Sequence, residues 1–424
     1  MRSLADARKI AATALLRVEK DKAYSNILLS SLFNEYNASK EDKSLASAIF
    51  YGVLDRQITI DYYINKYSKI QVKKLQPYTR QVLRSAFYQL YYMDRIPISA
   101  TVNEAVKLIK NSQENKNAAY VNAVLRSACK EKLSLPSGKD LYSLSVKYSC
   151  PQWILTNIVN DYGVDKTEEI LKTFLTPAKV FLRVNTLKIS ALKLLERLNE
   201  NGLNCEFVSD NTLELKSGVD FSKDILFNEG LFHIQDISSQ KCAEALLAKP
   251  EERILDICSA PGGKSFTIAE IMKDSGEIVS CDLYENRVSL IKKGAYRLGI
   301  NSIKAIKNDA TAYNSQLGEF DAVLCDVPCS GFGVIRRKPD IKYKPATNFE
   351  ELNNIQLKIL NVSSAYVKKG GRLLYSTCTL RKAENEDVVE KFLSSNKDFY
   401  CENMHTFIPS SNNDGFFHAL LYRR

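Results

Sequence analysis

No apolar run in this sequence approaches the roughly 18 residues that a membrane span requires, and the charged opening Arg2-Ser-Leu-Ala-Asp-Ala-Arg-Lys9 has no secretory apolar core. A cytoplasmic protein without membrane partners is the expectation. Histidines number three, and the ten cysteines are dispersed over 424 residues. That dispersion excludes a disulfide framework. Cys325 and Cys329 are four apart, but no second pair accompanies them, and only His233, His405 and His418 are on hand to complete a ligand set. No metal is expected. Internal repeats and low-complexity tracts are lacking too.

Acidic residues are scarce in one place. Residues 1–136 carry 22 Lys/Arg against 12 Asp/Glu, and the remainder is balanced, so the first third holds the whole net charge of +10. A basic surface of this kind suits a polyanion, with nucleic acid foremost. What the chain does have is an apolar fraction of 45% and a charged fraction of 25%, a globular composition at a length that predicts two or three domains.

Residues 1 to about 133 read as helical. Leu83, Phe87, Leu90 and Tyr91 recur at helical spacing behind Pro77, and Thr101-Val-Asn-Glu104 has capping-box form before an apolar stretch. Leu135-Pro-Ser-Gly138 reads as a linker. Residues 140–235 mix helices, around Trp153 and over 167–174 and 190–201, with short strands over 180–185, 205–208 and 212–215. From residue 236 strands and helices alternate: 253–258, 277–282, 302–306, 320–326 and 371–377 are strand-like, with helices at 285–298 and 351–367 between them. Alternation of this kind predicts an open parallel sheet covered on both faces. The end, from Asp414-Gly415, reads as one more strand.

The first of those strands leads into Asp256-Ile-Cys-Ser-Ala-Pro-Gly-Gly-Lys-Ser265, a strand–loop–helix turn with paired glycines. A Walker A loop needs glycine at 258, where Cys258 stands, and a dinucleotide loop needs a third spaced glycine. The first is excluded on spacing and the second is disfavoured. What remains suits a compact ligand whose carboxylate meets exposed backbone N–H groups. Asp282, Asp309 and Asp326 lie at or just past later strand ends, the edge where open sheets bind ligands. Asp282 is placed for a ribose hydroxyl pair and Asp309 for a base amino group. Two cysteines share that edge, in Asp326-Val-Pro-Cys-Ser-Gly331 and Tyr375-Ser-Thr-Cys-Thr379. A lone cysteine is usually core packing; two on functional loops point to thiol chemistry.

These segments carry a resemblance. Val102-Asn-Glu-Ala-Val106 and Tyr120-Val-Asn-Ala-Val-Leu-Arg126 are similar to signatures of the NusB-like RNA-binding helical domain. Cys258–Lys264, the Cys329 loop and the Cys378 loop resemble the motifs of RNA cytosine-C5 methyltransferases that use S-adenosylmethionine, and the chain from end to end resembles the RsmB/Sun type of 16S ribosomal RNA methyltransferase. Gly331-Phe-Gly-Val-Ile-Arg-Arg-Lys-Pro-Asp340 matches as well, although Ser259, Val327 and Phe332 depart from the usual residues; Phe332 bears on the shape of the target-base pocket.

The resemblance implies a NusB-like all-α bundle (1–135), a small α+β connector (140–235) and an α/β Rossmann-like class I methyltransferase (236–424). It implies S-adenosylmethionine held by Cys258, Ser259, Ala260, Pro261, Gly262, Gly263, Lys264, Asp282, Asp309 and Asp326. Cys378 would attack C6 of the cytosine, Cys329 would assist product release, and Asp326 would contact the base near N3, protonated if it donates there. The residues alone leave the order of the cysteines open, since DNA cytosine methyltransferases attack from a Pro-Cys motif, which here would be Cys329. Arg336, Arg337 and Lys338 are placed to meet phosphates or solvent. The expected partner is ribosomal RNA with a single-stranded or flipped target, bound by a monomer. Transfer RNA as substrate, or a non-enzymatic RNA-binding role on a degenerate methyltransferase domain, are the competing readings; intact Gly262-Gly263, both cysteines and the carboxylates argue against degeneration.

Overall fold

A computed structural model describes residues 7–21, 25–131, 133–216, 221, 224–343 and 348–424. The chain forms two compact units: residues 1–175 with 335–346, and residues 176–334 with 347–424. The opening residues 1–6, read above as part of a charged helical start, lie outside the described set.

The first unit is helical: α1 (Ala7–Asp21), α2 (Ser25–Glu35), α3 (Lys40–Tyr67), α4 (Pro77–Tyr92), α5 (Ile98–Lys110), α6 (Ala118–Ala128), α7 (Leu141–Tyr148) and α8 (Gln152–Phe174), the last interrupted at Gly163. Ile10, Ile49, Phe50, Ile60, Ile64, Phe87, Ile109 and Leu125 close one apolar core. Within it Arg84 is buried but satisfied, pairing with Asp61 at 2.7 Å and Glu19 at 3.1 Å. Pro77 opens α4 as its spelling predicts. Thr101 does not cap α5, however. That helix starts three residues earlier, behind Pro97, and Thr101 is buried in its first turn. The residues after the expected linker stay with this unit: Thr59 Oγ1 donates to the Val146 carbonyl at 2.6 Å, and Ser149 Oγ accepts from the Ile58 N–H at 3.0 Å.

Residues 335–343 also pack here. Tyr343 donates to the Leu54 carbonyl and Lys342 Nζ to that of Asp55, at 2.6 and 2.8 Å. Arg336, read from sequence as part of a basic loop, is buried in this segment, whereas Lys338 is exposed.

The second unit opens with a four-stranded antiparallel sheet of β1 (Val180–Val184), β2 (Cys205–Ser209), β3 (Thr212–Leu215) and β4 (Phe232–Ile234), in the order β2-β3-β1-β4. Helix α9 (Ala191–Glu200) covers it through Leu194 and Leu198; α10 (Ile225–Asn228) and α11 (Ile237–Glu244) follow. The larger sheet holds β5 (Arg253–Asp256), β6 (Glu277–Asp282), β7 (Ile303–Lys307), β8 (Phe320–Asp326), β9 (Val367–Thr377), β10 (Phe399–Phe407) and β11 (Phe416–Arg423), in the order β10-β11-β9-β8-β5-β6-β7. Strands β5 to β9 are parallel, and β11 and β10 add on antiparallel, so the sheet is mixed rather than wholly parallel.

Alternation along each strand feeds two cores. Ile254, Ile278, Leu324 and Leu374 face α11, α12 (Gly263–Ile271) and α13 (Glu285–Leu298). Leu255, Val279, Val323 and Leu373 face α14 (Phe349–Ser364) and α15 (Glu386–Ser395). The sheet is therefore a buried doubly covered layer, and the residues singled out from sequence lie where its parallel strands end. Among the described residues, no helix is long and apolar enough to cross a membrane.

Candidate active site

The loop from β5 to α12 is held at both ends by backbone. The Ile257 N–H donates to Leu324 O, the Ser259 N–H to Cys281 O, and the Gly262 N–H to Ser259 O at 2.7 Å. Gly262 has φ 110°, and a Cβ there would lie 2.4 Å from the Phe266 ring, so glycine is required on both counts. Gly263 is different: the nearest atom to an added Cβ is 3.7 Å away. The Ala260–Pro261 peptide is cis. Arg287 on α13 braces this loop from the neighbouring strand end, donating to Ala260 O at 2.8 Å while its Nε sits 3.3 Å from Asp282.

Asp256, at the end of β5, is entirely buried and accepts from Ser265 Oγ at 2.6 Å; burial pushes its carboxyl up to about 7. Burial also raises the Cys258 thiol well above its usual range. Asp282 is buried at the end of β6. Asp309 is exposed past β7 and accepts both the N–H and the hydroxyl of Thr311 at 2.8 Å, bonds that hold its carboxyl below the ordinary range. Its neighbour Asn308 is buried, with Nδ2 lacking a hydrogen-bond partner, as does the buried Ser259 Oγ.

Asp326 ends β8 and is the hub of the edge. Lys264 Nζ lies 2.7 Å from its Oδ2, and Ser376 Oγ, opposite it on β9, donates to Oδ1 at 2.8 Å. Burial opposes the Lys264 charge, but the Asp326 carboxylate more than offsets this and holds the ammonium above the usual lysine range. Both Asp326 oxygens are thus engaged, one by Lys264 and one by Ser376. Phe416 faces Lys264 with its ring centroid 5.1 Å away.

Beyond Asp326 the chain turns through Cys329, and beyond Thr377 through Cys378; the two sulfurs approach to 3.2 Å. Cys378 and burial together hold the Cys329 thiol well above its usual range, with the Glu384 carboxylate adding to the effect. The loops are cross-tied. Ser330 and Thr379 hydroxyls meet at 2.7 Å, and the Gly333 N–H donates to Cys378 O at 3.0 Å. The Gly415 N–H donates in turn to Gly333 O; a Cβ on Gly333 would come within 2.0 Å of Gly415 O. Phe332 points into protein, fully buried and edge-on to Phe349.

The residues singled out from sequence therefore make two direct contacts, Lys264 with Asp326 and Cys329 with Cys378, and one bridge, Ala260 to Asp282 through Arg287. Asp309 shares the edge but bonds within its own turn. Arg287 and Glu384 were not singled out, and Ser376 was named only as part of the Cys378 motif. Arg287 reaches Ala260 across 27 residues and Glu384 reaches Ser330 across 54, and no local pattern flags these contacts.

Comparisons with known proteins run the same way. A family model described as 16S rRNA methyltransferase RsmB/F matches residues 243–422, the NusB family matches 5–130, and a RsmF/B-like ferredoxin-like domain matches 150–222. A probable ribosomal RNA small subunit methyltransferase B of Bacillus subtilis is 39% identical over 92% of this chain and 89% of its own length. A ribosomal RNA small subunit methyltransferase B of Proteus mirabilis is 32% identical over the full length of both. Among solved structures, PH0851 is 26% identical with a TM-score of 0.82, covering 99% of this chain and 100% of its own. A methyltransferase homolog from Pyrococcus horikoshii is 25% identical with a TM-score of 0.59, over 67% of this chain and 99% of its own. A likeness that continues through the helical segment, the small antiparallel sheet and the large mixed sheet exceeds a shared fold: this chain belongs to the RsmB/F family of 16S rRNA methyltransferases.

Proposed function

We propose that the protein transfers a methyl group from S-adenosylmethionine to C5 of a cytosine in 16S ribosomal RNA, through a covalent bond between Cys378 and the base. The observation that carries this is the 3.2 Å approach of the Cys329 and Cys378 sulfurs beside the Lys264–Asp326 pair. Two thiols that close can both address one planar ring.

The residues at the strand ends fit the methyl donor. The amide-lined first turn of α12 suits a carboxylate, buried Asp282 suits a ribose, and Ser259 Oγ and Asn308 Nδ2 are buried polar atoms lacking a partner. Cys258 to Lys264, Asp282, Asp309 and Asp326 would hold it. S-adenosylmethionine supplies an electrophilic methyl carbon on a sulfonium.

The protein's own part is to make cytosine C5 nucleophilic. Addition of the Cys378 thiolate to C6 turns the ring into an enamine whose C5 takes the methyl carbon as its bond to the sulfonium breaks and a neutral thioether leaves; a base then removes the C5 proton, restoring the C5–C6 double bond and expelling the Cys378 thiolate. The family motifs assign the attack to Cys378 and product release to Cys329, and the 3.2 Å between the sulfurs lets both act on one ring. Asp326 contacts the base. Lys264, 2.7 Å away, orients its carboxyl group toward the base edge. Access to both ring faces requires an unstacked or flipped nucleotide. The same proposal makes ribosomal RNA the partner and the cytoplasm the place of work. Labelled-cofactor transfer to 16S ribosomal RNA, followed by bisulfite mapping, tests it: one protected cytosine is expected, and transfer without any protected cytosine contradicts it.

A further inference from the structure

Glu384 is wholly buried at the end of the 3-10 turn Lys382–Glu384, six residues past Cys378. Its Oε2 accepts the Ser330 N–H at 2.8 Å and Gln356 Nε2 at 2.9 Å. The same Gln356 amide donates to Pro328 O at 3.0 Å, so the two residues flanking Cys329 are gripped from one side. Oε1 accepts from Arg381 at 2.9 Å, and the Glu384 carbonyl accepts from Tyr375 OH at 2.6 Å, on the strand that leads to Cys378. A buried carboxylate is retained only when its acceptors are filled, and here the donors belong to both cysteine loops.

We infer that Glu384 is the positioning residue for Cys329, its carboxylate fixing the Pro328–Ser330 turn that presents the Cys329 thiol to Cys378. The inference rests on the cysteine roles proposed above. Glu384 need not touch RNA or methyl donor. It holds the turn, and its charge, with Cys378, disfavours the thiolate of Cys329. A merely structural anchor would do the first without the second.

Glu384→Gln in the full-length protein separates these. The side chain keeps its shape, but one acceptor oxygen becomes an amide donor, so either Arg381 or the Ser330 and Gln356 donors lose their partner. Two readouts are expected. Site-resolved alkylation with iodoacetamide should modify Cys329 about three-fold or more faster than in the wild type. With RNA and S-adenosylmethionine, a slow-migrating protein–RNA species should accumulate, as the proposed release role also predicts for Cys329→Ala, and disappear when Cys378→Ala is added. If Glu384→Gln fails to fold, Gln356→Met removes the Pro328 tie and should show both effects more weakly. An alkylation rate within about two-fold of wild type overturns the inference. So does an adduct seen in Cys329→Ala but not in Glu384→Gln. Should Cys329→Ala itself form no adduct, the cysteine roles fail instead, and the alkylation rate alone decides the positioning role.

Discussion

Lys264 Nζ stands 2.7 Å from Asp326 Oδ2, joining the first turn of the helix behind the glycine loop to the strand end that precedes Cys329. One ion pair thus links the region assigned to the methyl donor with the region assigned to the base. Loss of one partner of a fully buried pair costs about 3–5 kcal/mol. The Asp326 side chain, however, is 28% exposed, and water can take over there. Lys264→Met should therefore cost only about 1–2 kcal/mol in chemical denaturation while methyl transfer falls about 100-fold or more. Comparable losses in stability and none in transfer would separate the pair from the chemistry.

A deeper pair supports the same helix. Arg183 on β1 is buried and lies 2.9 Å from the fully buried Glu270 on α12, with Glu244 at 2.7 Å from its other nitrogen. Burial nevertheless lifts the Glu270 carboxyl to about 7, so the guanidinium is what keeps the charged form tolerable. Arg183→Met should lower the unfolding free energy by about 3–5 kcal/mol, and adding Glu270→Leu should restore a large part of it. Urea titration of the single and double variants measures both.

Asp256 gives a pH signature. Its carboxyl titrates near 7 when folded, against 3.8 for the free side chain, because burial disfavours the charge. A raised folded value means that its stabilising contribution is complete below the unfolded value, and is lost as pH rises through about 7. Asp256→Asn removes that titration. Relative to wild type, the variant should gain on the order of 3–4 kcal/mol between pH 4 and pH 8. Parallel stability curves across that range would show that Asp256 titrates normally.

Much of this edge is legible in the sequence, for physical reasons that differ by residue. The β5–α12 turn is legible because Gly262 must adopt a left-handed backbone directly after Pro261, so local chemistry alone marks the loop. Asp282 and Asp326 are legible because each ends an apolar run. Strand β10 is not. Phe399–Phe407 is an edge strand, largely exposed and polar, without the alternation that marks a half-buried strand. The start of α5 is misread because Thr101 and Glu104 imitate a capping box inside a helix that Pro97 had already opened. Arg336 reads as surface charge because nothing in Ile335–Lys338 announces that it is buried. Glu384 and Gln356 act across 54 and 28 residues, and only tertiary structure brings them to Cys329.

The central claim is that Cys378 bonds to a cytosine whose C5 receives the methyl group. Nucleoside analysis of 16S ribosomal RNA after incubation with methyl-labelled S-adenosylmethionine tests it most directly, with wild type and Cys378→Ala side by side. The account predicts label in 5-methylcytidine for wild type and none for Cys378→Ala. Label in any other nucleoside, or undiminished 5-methylcytidine from Cys378→Ala, would contradict it.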